Sequence, residues 1–193
     1  MTFEIKRQES NSRGELLLRT FFGFFYIGIP HAFLMFFASL WGSILTFISF
    51  WTILFTGRYP ESYFEYNLGL MRWSARVNAS FFNMIDGYPA FGTSSSHPDV
   101  LVDIPYPENL SRGTLLLKFF LGIFYVLLPH GICLFFLALA SNLVLFISWW
   151  AVLFTGKFPA SLHEFLLGYL RWNFRVNAYM SYMTDKYPPF SLS

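Results

Sequence analysis

The chain has 193 residues, 55% hydrophobic and 12% charged, with a net charge of +2. That is about half the usual charge content, and it leaves no basic footprint for nucleic acid. Cys133 is the only cysteine, which excludes an internal disulfide and a cysteine-based metal cluster.

The first residues are polar, with no removable signal segment expected after them. Within them "TFEI" (Thr2 to Ile5) alternates like a short strand. From Thr20 to Gly57 the sequence then has no Asp, Glu, Lys or Arg for 38 residues. A bilayer core of ~30 Å takes about 20 helical residues, so this run is nearly twice one span and marks an integral membrane protein. One continuous helix of that length would extend about 57 Å, too long for a single crossing. A hairpin is the expected solution, with spans at about 16–38 and 43–57 and a turn near Ser39 to Ser43.

The hinge "FTGRYP" (Phe55 to Pro60) follows. Gly57 and Pro60 let the chain bend, and Pro60 suits the first turn of a new helix, where its missing N–H is no loss. That helix, about 60–85, is amphipathic: Glu61, Glu65, Gly69, Arg72 and Arg76 share one face, and Phe64, Leu68, Met71 and Trp73 belong to a broad apolar remainder. It is expected to lie in the membrane interface with Trp73 as an anchor. Residues 93–100, beginning at "TSSSHP", form a linker.

After the linker the pattern starts again. An offset of 99 residues aligns the two halves without a gap, with 38 identities over the 80 positions from Arg13, which chance cannot produce. Residues 1–92 form one copy and residues 101–193 the other. "LVDI" (Leu101 to Ile104) answers "TFEI", and the two are candidates to pair as a small extramembrane sheet. The second copy has spans expected at about 115–138 and 142–156, turning near Ala140 to Asn142. The hinge "FTGKFP" and an interfacial helix at about 159–184 follow, the latter carrying Glu164, Gly168, Arg171, Trp172 and Arg175. All 13 Lys and Arg lie outside the two uncharged runs. Two spans per copy place every one on the same side, which the positive-inside rule makes cytoplasmic along with both termini. The copies then share one orientation about a pseudo-twofold axis along the membrane normal. The expected fold is an all-α membrane protein of two tandem repeats, each a transmembrane helical hairpin followed by an interfacial amphipathic helix, with a small extramembrane β pair.

The elements "PH", "FTGRYP", "RW..RV.A" and "D.YPPF" resemble a family of bacterial membrane proteins, domain of unknown function family 4389, present here as a tandem pair. The second copy, with "DKYPPF", is closer to the family pattern than the first, with "DGYPAF". The resemblance implies an integral protein of the bacterial inner membrane and brings no activity with it.

Four groups of residues are candidates for a site. Arg72, Arg76, Arg171 and Arg175 could hold lipid phosphates or pair with Glu65, Glu164, Asp86 and Asp185. His31 and His130, each after a proline inside an uncharged run, are intramembrane titratable groups and so functional candidates. They could ligate a haem or relay protons, or simply satisfy the carbonyl freed by the proline. Asn78 and Asn177, in "RVNA", are candidates for hydrogen bonds between helices. His97 and His163 have no counterpart in the other copy. No metal cluster, nucleophile and base, phosphate loop or dinucleotide glycine pattern is present, so catalysis is not the expected role. The expected function is an accessory or scaffold subunit contacting lipid and a partner membrane protein or a further copy. A small carrier or channel for ions or lipids, and a haem-binding membrane protein, are the alternatives.

Overall fold

The computed structural model describes residues 1–193. It contains four helices and one two-stranded sheet. The elements are β1 (Thr2–Ile5), α1 (Arg13–Thr56), α2 (Glu61–Phe81), β2 (Val100–Asp103), α3 (Arg112–Thr155) and α4 (Ala160–Met180). A π-helical turn interrupts α1 at Phe24–Gly28 and α3 at Ile123–Leu127.

The hairpins expected from run length are not formed. Residues 39–43 and 140–142, where the turns belong, are helical, and α1 and α3 each continue for 44 residues. Local chemistry accounts for this. Ser43 Oγ donates to Ser39 O at 2.9 Å, Thr46 Oγ1 to Gly42 O at 2.9 Å and Asn142 Nδ2 to Ala138 O at 2.9 Å. The polar groups that resemble a turn are therefore satisfied by carbonyls of their own helix. Gly42 also belongs inside the helix, because a Cβ there would lie 2.6 Å from Leu70 Cδ1 of α2.

The ends of α1 and α3 are sharply defined. Ser12 and Ser111 are N-caps, accepting from Glu15 N at 3.3 Å and Thr114 N at 3.2 Å. Gly57 (φ 76) and Gly156 (φ 70) close the helices in the left-handed conformation that a side chain would strain.

One stripe of α1 is covered. It runs through Leu16, Gly23, Ile27, His31, Gly42, Leu45, Ser49 and Ile53. From Gly23 to Ile27 to His31 the spacing is four residues each time, wider than an α-helix sustains, and the π turn supplies the extra residue that keeps the stripe on one side. Against it lies α2, running back along α1. Tyr66 Oη donates to Ala38 O at 3.1 Å, and Phe81 packs on Gly23 and Gly28.

Both amphipathic helices end a few residues before the expected boundaries. Asn83 (φ 53) takes the left-handed position after α2, Met84 N bonds Ala79 O and Asn83 N bonds Ser80 O; Tyr182 (φ 63), Met183 and Tyr182 N repeat this after α4. This is the double hydrogen bond that closes a helix before its hydrophobic pattern runs out.

β1 and β2 pair antiparallel with Phe3 opposite Val102, residues that are 99 apart in the chain. The strands cover the middle helices: Arg72 Nε donates to Val102 O at 2.9 Å and Arg171 Nε to Phe3 O at 3.2 Å. Strand residues and α2 and α4 share the main core with Phe64, Leu68, Ala75, Leu166, Leu170 and Ala178. The two halves are also stitched at the helix ends. Asn11 N donates to Gly156 O at 2.8 Å and Leu110 N to Gly57 O at 2.7 Å. Arg13 reaches Phe154 O at 3.0 Å and Arg112 reaches Phe55 O at 2.9 Å. The start of each long helix therefore abuts the end of the other.

Candidate functional site

The repeated motifs meet at one place in each half. Pro30 has no N–H, so it offers nothing to the carbonyl four residues earlier, Tyr26. Tyr88 Oη donates to that carbonyl at 2.9 Å, and Tyr187 Oη donates to Tyr125 O at 2.9 Å below Pro129. The tyrosines of the "D.YP.F" motif thus satisfy the carbonyl freed by the proline, one of the three roles open to His31 and His130 from the sequence.

Each histidine is held by a tryptophan and a phenylalanine, with the ring of the same tyrosine 5.4 Å from His31 and 5.3 Å from His130. Trp73 Nε1 donates to His31 Nδ1 at 2.9 Å, and Trp172 Nε1 to His130 Nδ1 at 2.9 Å. Phe91 stacks on His31 at 4.1 Å and 11°, and Phe190 stacks on His130 at 3.9 Å and 11°. Both imidazoles are buried, at 1% and 0% exposure. Trp73 and Trp172 are buried as well, which corrects their expected place as interface anchors.

An indole N–H can only donate, so each Nδ1 is an acceptor and the neutral ring carries its proton on Nε2. His130 passes that proton toward Tyr187 Oη at 3.1 Å, whereas His31 Nε2 has no partner. A haem iron needs an imidazole lone pair. Nδ1 has spent its lone pair on tryptophan and Nε2 holds the proton, so this arrangement does not fit a haem.

The cationic groups point at backbone carbonyls. Arg76 donates to Ala90, Gly92 and Ser95 O, and Arg175 to Ser191 and Ser193 O. Burial, then the neighbouring Arg72 and Arg171 respectively, lower the pKa of both guanidinium groups. Arg72 is bridged to Asp103 at 3.1 Å and Glu65 at 3.7 Å, and Arg171 to Glu164 at 3.9 Å. Arg19 donates to Ser80, Ile85 and Gly87 O and to Glu15, while Lys118 donates to Thr184 O and Asp185.

Asp86 and Asp185 face the long helices, where Ser12 N donates to Asp86 Oδ2 at 2.8 Å and Ser111 N to Asp185 Oδ2 at 2.6 Å. A carboxylate at a helix N-terminus is well placed for the helix dipole. Burial still raises the Asp86 pKa, against the pull of the Ser12 N–H.

The asparagines do not bridge helices as expected. Asn78 Nδ2 donates to Ser74 O at 2.8 Å in its own helix, and Asn177 Oδ1 accepts from Ser181 Oγ at 3.0 Å. Asn177 also lines a cleft of about 410 Å³ with Ser39, Ser43, Thr46 and Ser74, all uncharged.

Sequence reasoning undervalued Tyr88, Phe91, Tyr187 and Phe190. Their signal was the same spacing in both halves, which matters only once α2 brings Trp73 to His31. The chemistry available here is positional. Each clamp fixes a buried histidine, repairs a proline break and ties the segment after an amphipathic helix to the long helix beside it.

No curated protein and no solved structure matches the chain. Residues 117–191 match the family model described as domain of unknown function (DUF4389), and that segment contains His130, Trp172, Asp185, Tyr187 and Phe190. The match supports that family for the second half alone: one copy is recognised rather than the expected tandem pair.

Proposed function

We propose that the protein is a membrane-embedded scaffold subunit that holds a partner membrane protein or a further copy of itself in contact with lipid. One contrast carries this reading. The most apolar windows of α1 and α3 are 22% and 11% buried, where the core helix of a soluble protein is mostly buried. Phe21, Phe24, Phe55, Phe120 and Phe154 are all exposed, along the full length of both helices. The histidines and most of the arginine donors, by contrast, are engaged within the chain. The surface on offer is apolar and aromatic, suited to lipid tails and partner helices.

The tandem organisation, the bacterial inner membrane and the cytoplasmic placement of both termini belong to the same proposal. Hydrogen bonds that recur 99 residues apart support the duplication, among them the two tryptophan–histidine bonds and the bonds made by Arg72 and Arg171. A carrier has less behind it, because His31 Nε2 has no partner and the Tyr187 hydroxyl beside His130 donates onward only to the Tyr125 carbonyl, so neither contact leads into a proton relay.

Purification in mild detergent from its native membrane, with mass spectrometry of what accompanies it, tests the scaffold. A stoichiometric partner or homo-oligomer is expected. A chain that always migrates alone, at its own mass, overturns the reading.

A further inference from the structure

We propose that α1 and α3 lie flat in one leaflet of a phospholipid bilayer, beneath α2, α4 and the strand pair, so that the chain enters the membrane without crossing it. This rests on the membrane placement proposed above and specifies its geometry.

Length is the first ground. Each helix has 44 residues, or about 66 Å, and its uncharged stretch alone is about 57 Å. Fitting that stretch into a hydrocarbon core of ~30 Å requires a tilt of about 60°, beyond the roughly 0–40° that transmembrane helices adopt.

The position of the charges is the second ground. Bonds from Tyr66 to Ala38, Asn67 to Thr46 and Trp73 to His31 set α2 beside the middle of α1. The Glu65–Arg72–Asp103 cluster therefore sits near mid-length of the uncharged stretch, with the Glu65 and Asp103 side chains 56% and 54% exposed. In a crossing helix those carboxylates would face hydrocarbon near the bilayer midplane, where ionised groups are strongly disfavoured. In a flat helix the whole cluster stays on the aqueous side at every point along its length.

The basic rim is the third ground. Exposed Arg13 and Arg58 bracket α1, and exposed Arg112 and Lys157 bracket α3. Because the helices meet head to tail, a flat arrangement puts all four at one depth, where lipid phosphates are. The uncharged centre and basic rim match acyl chains and headgroups of one leaflet. The pseudo-twofold axis, passing between the paired Phe3 and Val102, then stands along the membrane normal, and all the basic residues lie on one side with no hairpin required.

The test uses the full chain with Cys133→Ala and one new cysteine at Glu9, Glu108 or Glu65. Glu9 and Glu108 are exposed and mark the two opposite junctions of the long helices; Glu65 marks the middle. Sealed membrane vesicles of known sidedness are treated with an impermeant maleimide before and after permeabilisation. Flat helices give labelling of all three positions from the same face, to within about twofold. Labelling of Glu9→Cys and Glu108→Cys from opposite faces, or protection of Glu65→Cys from both, overturns the proposal. Alkaline carbonate extraction separates the two levels of the claim. Release of the chain as a soluble dimer means that a second copy covers the apolar faces, and the membrane placement itself fails.

Discussion

Replacing His163 with phenylalanine should remove a built-in sensitivity to acid. His163 lies in α4 at the position that Phe64 holds in α2, 99 residues earlier. It is 3% exposed. Its ring meets Phe158 edge-on at 5.7 Å, much as Phe64 meets Tyr59 at 5.6 Å. Its Nε2 has no hydrogen-bond partner. Burial, and then the positive charge of Arg7, bring its pKa down from 6.5 to about 4. In the unfolded chain it titrates at the ordinary value of about 6.5. Above that pH both states hold a neutral ring and nothing is lost. Between about 6.5 and 4 the unfolded state binds a proton that the folded state refuses, so stability falls as pH falls. The loss is about 2 kcal/mol at pH 5 and levels off near 3 kcal/mol below pH 4. For a chain of this size that is a shift of roughly 4–8 °C in melting temperature at pH 5. Melts followed by tryptophan fluorescence in detergent, for wild type and His163→Phe at pH 8 and pH 5, measure it. The variant should gain about that much on wild type between the two conditions, while carboxylate effects common to both chains cancel. A difference that stays constant between pH 8 and pH 5 would refute the reasoning.

Gly69→Ala places a Cβ 2.6 Å from Thr93 O, and Gly168→Ala places one 2.7 Å from Leu192 O, so the backbone must move in both. Each should destabilise by about 1–3 kcal/mol, whereas Gly131→Ala meets nothing within 4 Å and should stabilise by up to about 1 kcal/mol; thermal melts of the three variants check the order. Tyr88→Phe strips the donor from Tyr26 O and should cost about 1–3 kcal/mol. Adding Pro30→Ala restores a backbone N–H, so the double-mutant cycle should show a coupling of roughly 1 kcal/mol, and strict additivity would disprove the link. Arg76→Met leaves the carbonyls of Ala90, Gly92 and Ser95 without their donor. Limited proteolysis should then cut between residues 86 and 99 at least several-fold faster than in wild type.

Much of the layout is legible without coordinates because local rules decide it. The hinges at Gly57 and Gly156 end the long helices, and the polar and apolar faces of 60–85 give α2. The alternation in Thr2–Ile5 and in residues 101–104 also identifies the segments that pair. The candidate site is less legible. Pro30, His31, Trp73, Tyr88 and Phe91 are visible as repeated residues, but their partnerships span 42 to 62 positions and depend on α2 returning along α1. Asn78 and Asn177 show the limit of residue-type reasoning, since an amide that can bridge helices can also bond within its own.

The sequence by itself determined the two uncharged runs, the glycine hinges that end them, the 99-residue period and the amphipathic segments, because each follows from residue type and spacing along the chain. Only the tertiary structure decided whether a 38-residue run turns or continues. A serine or asparagine in such a run serves a turn or an uninterrupted helix equally well, and the choice falls to what packs against it. Here Leu70 and Asn67 of α2 close on Gly42, and the helix stays whole.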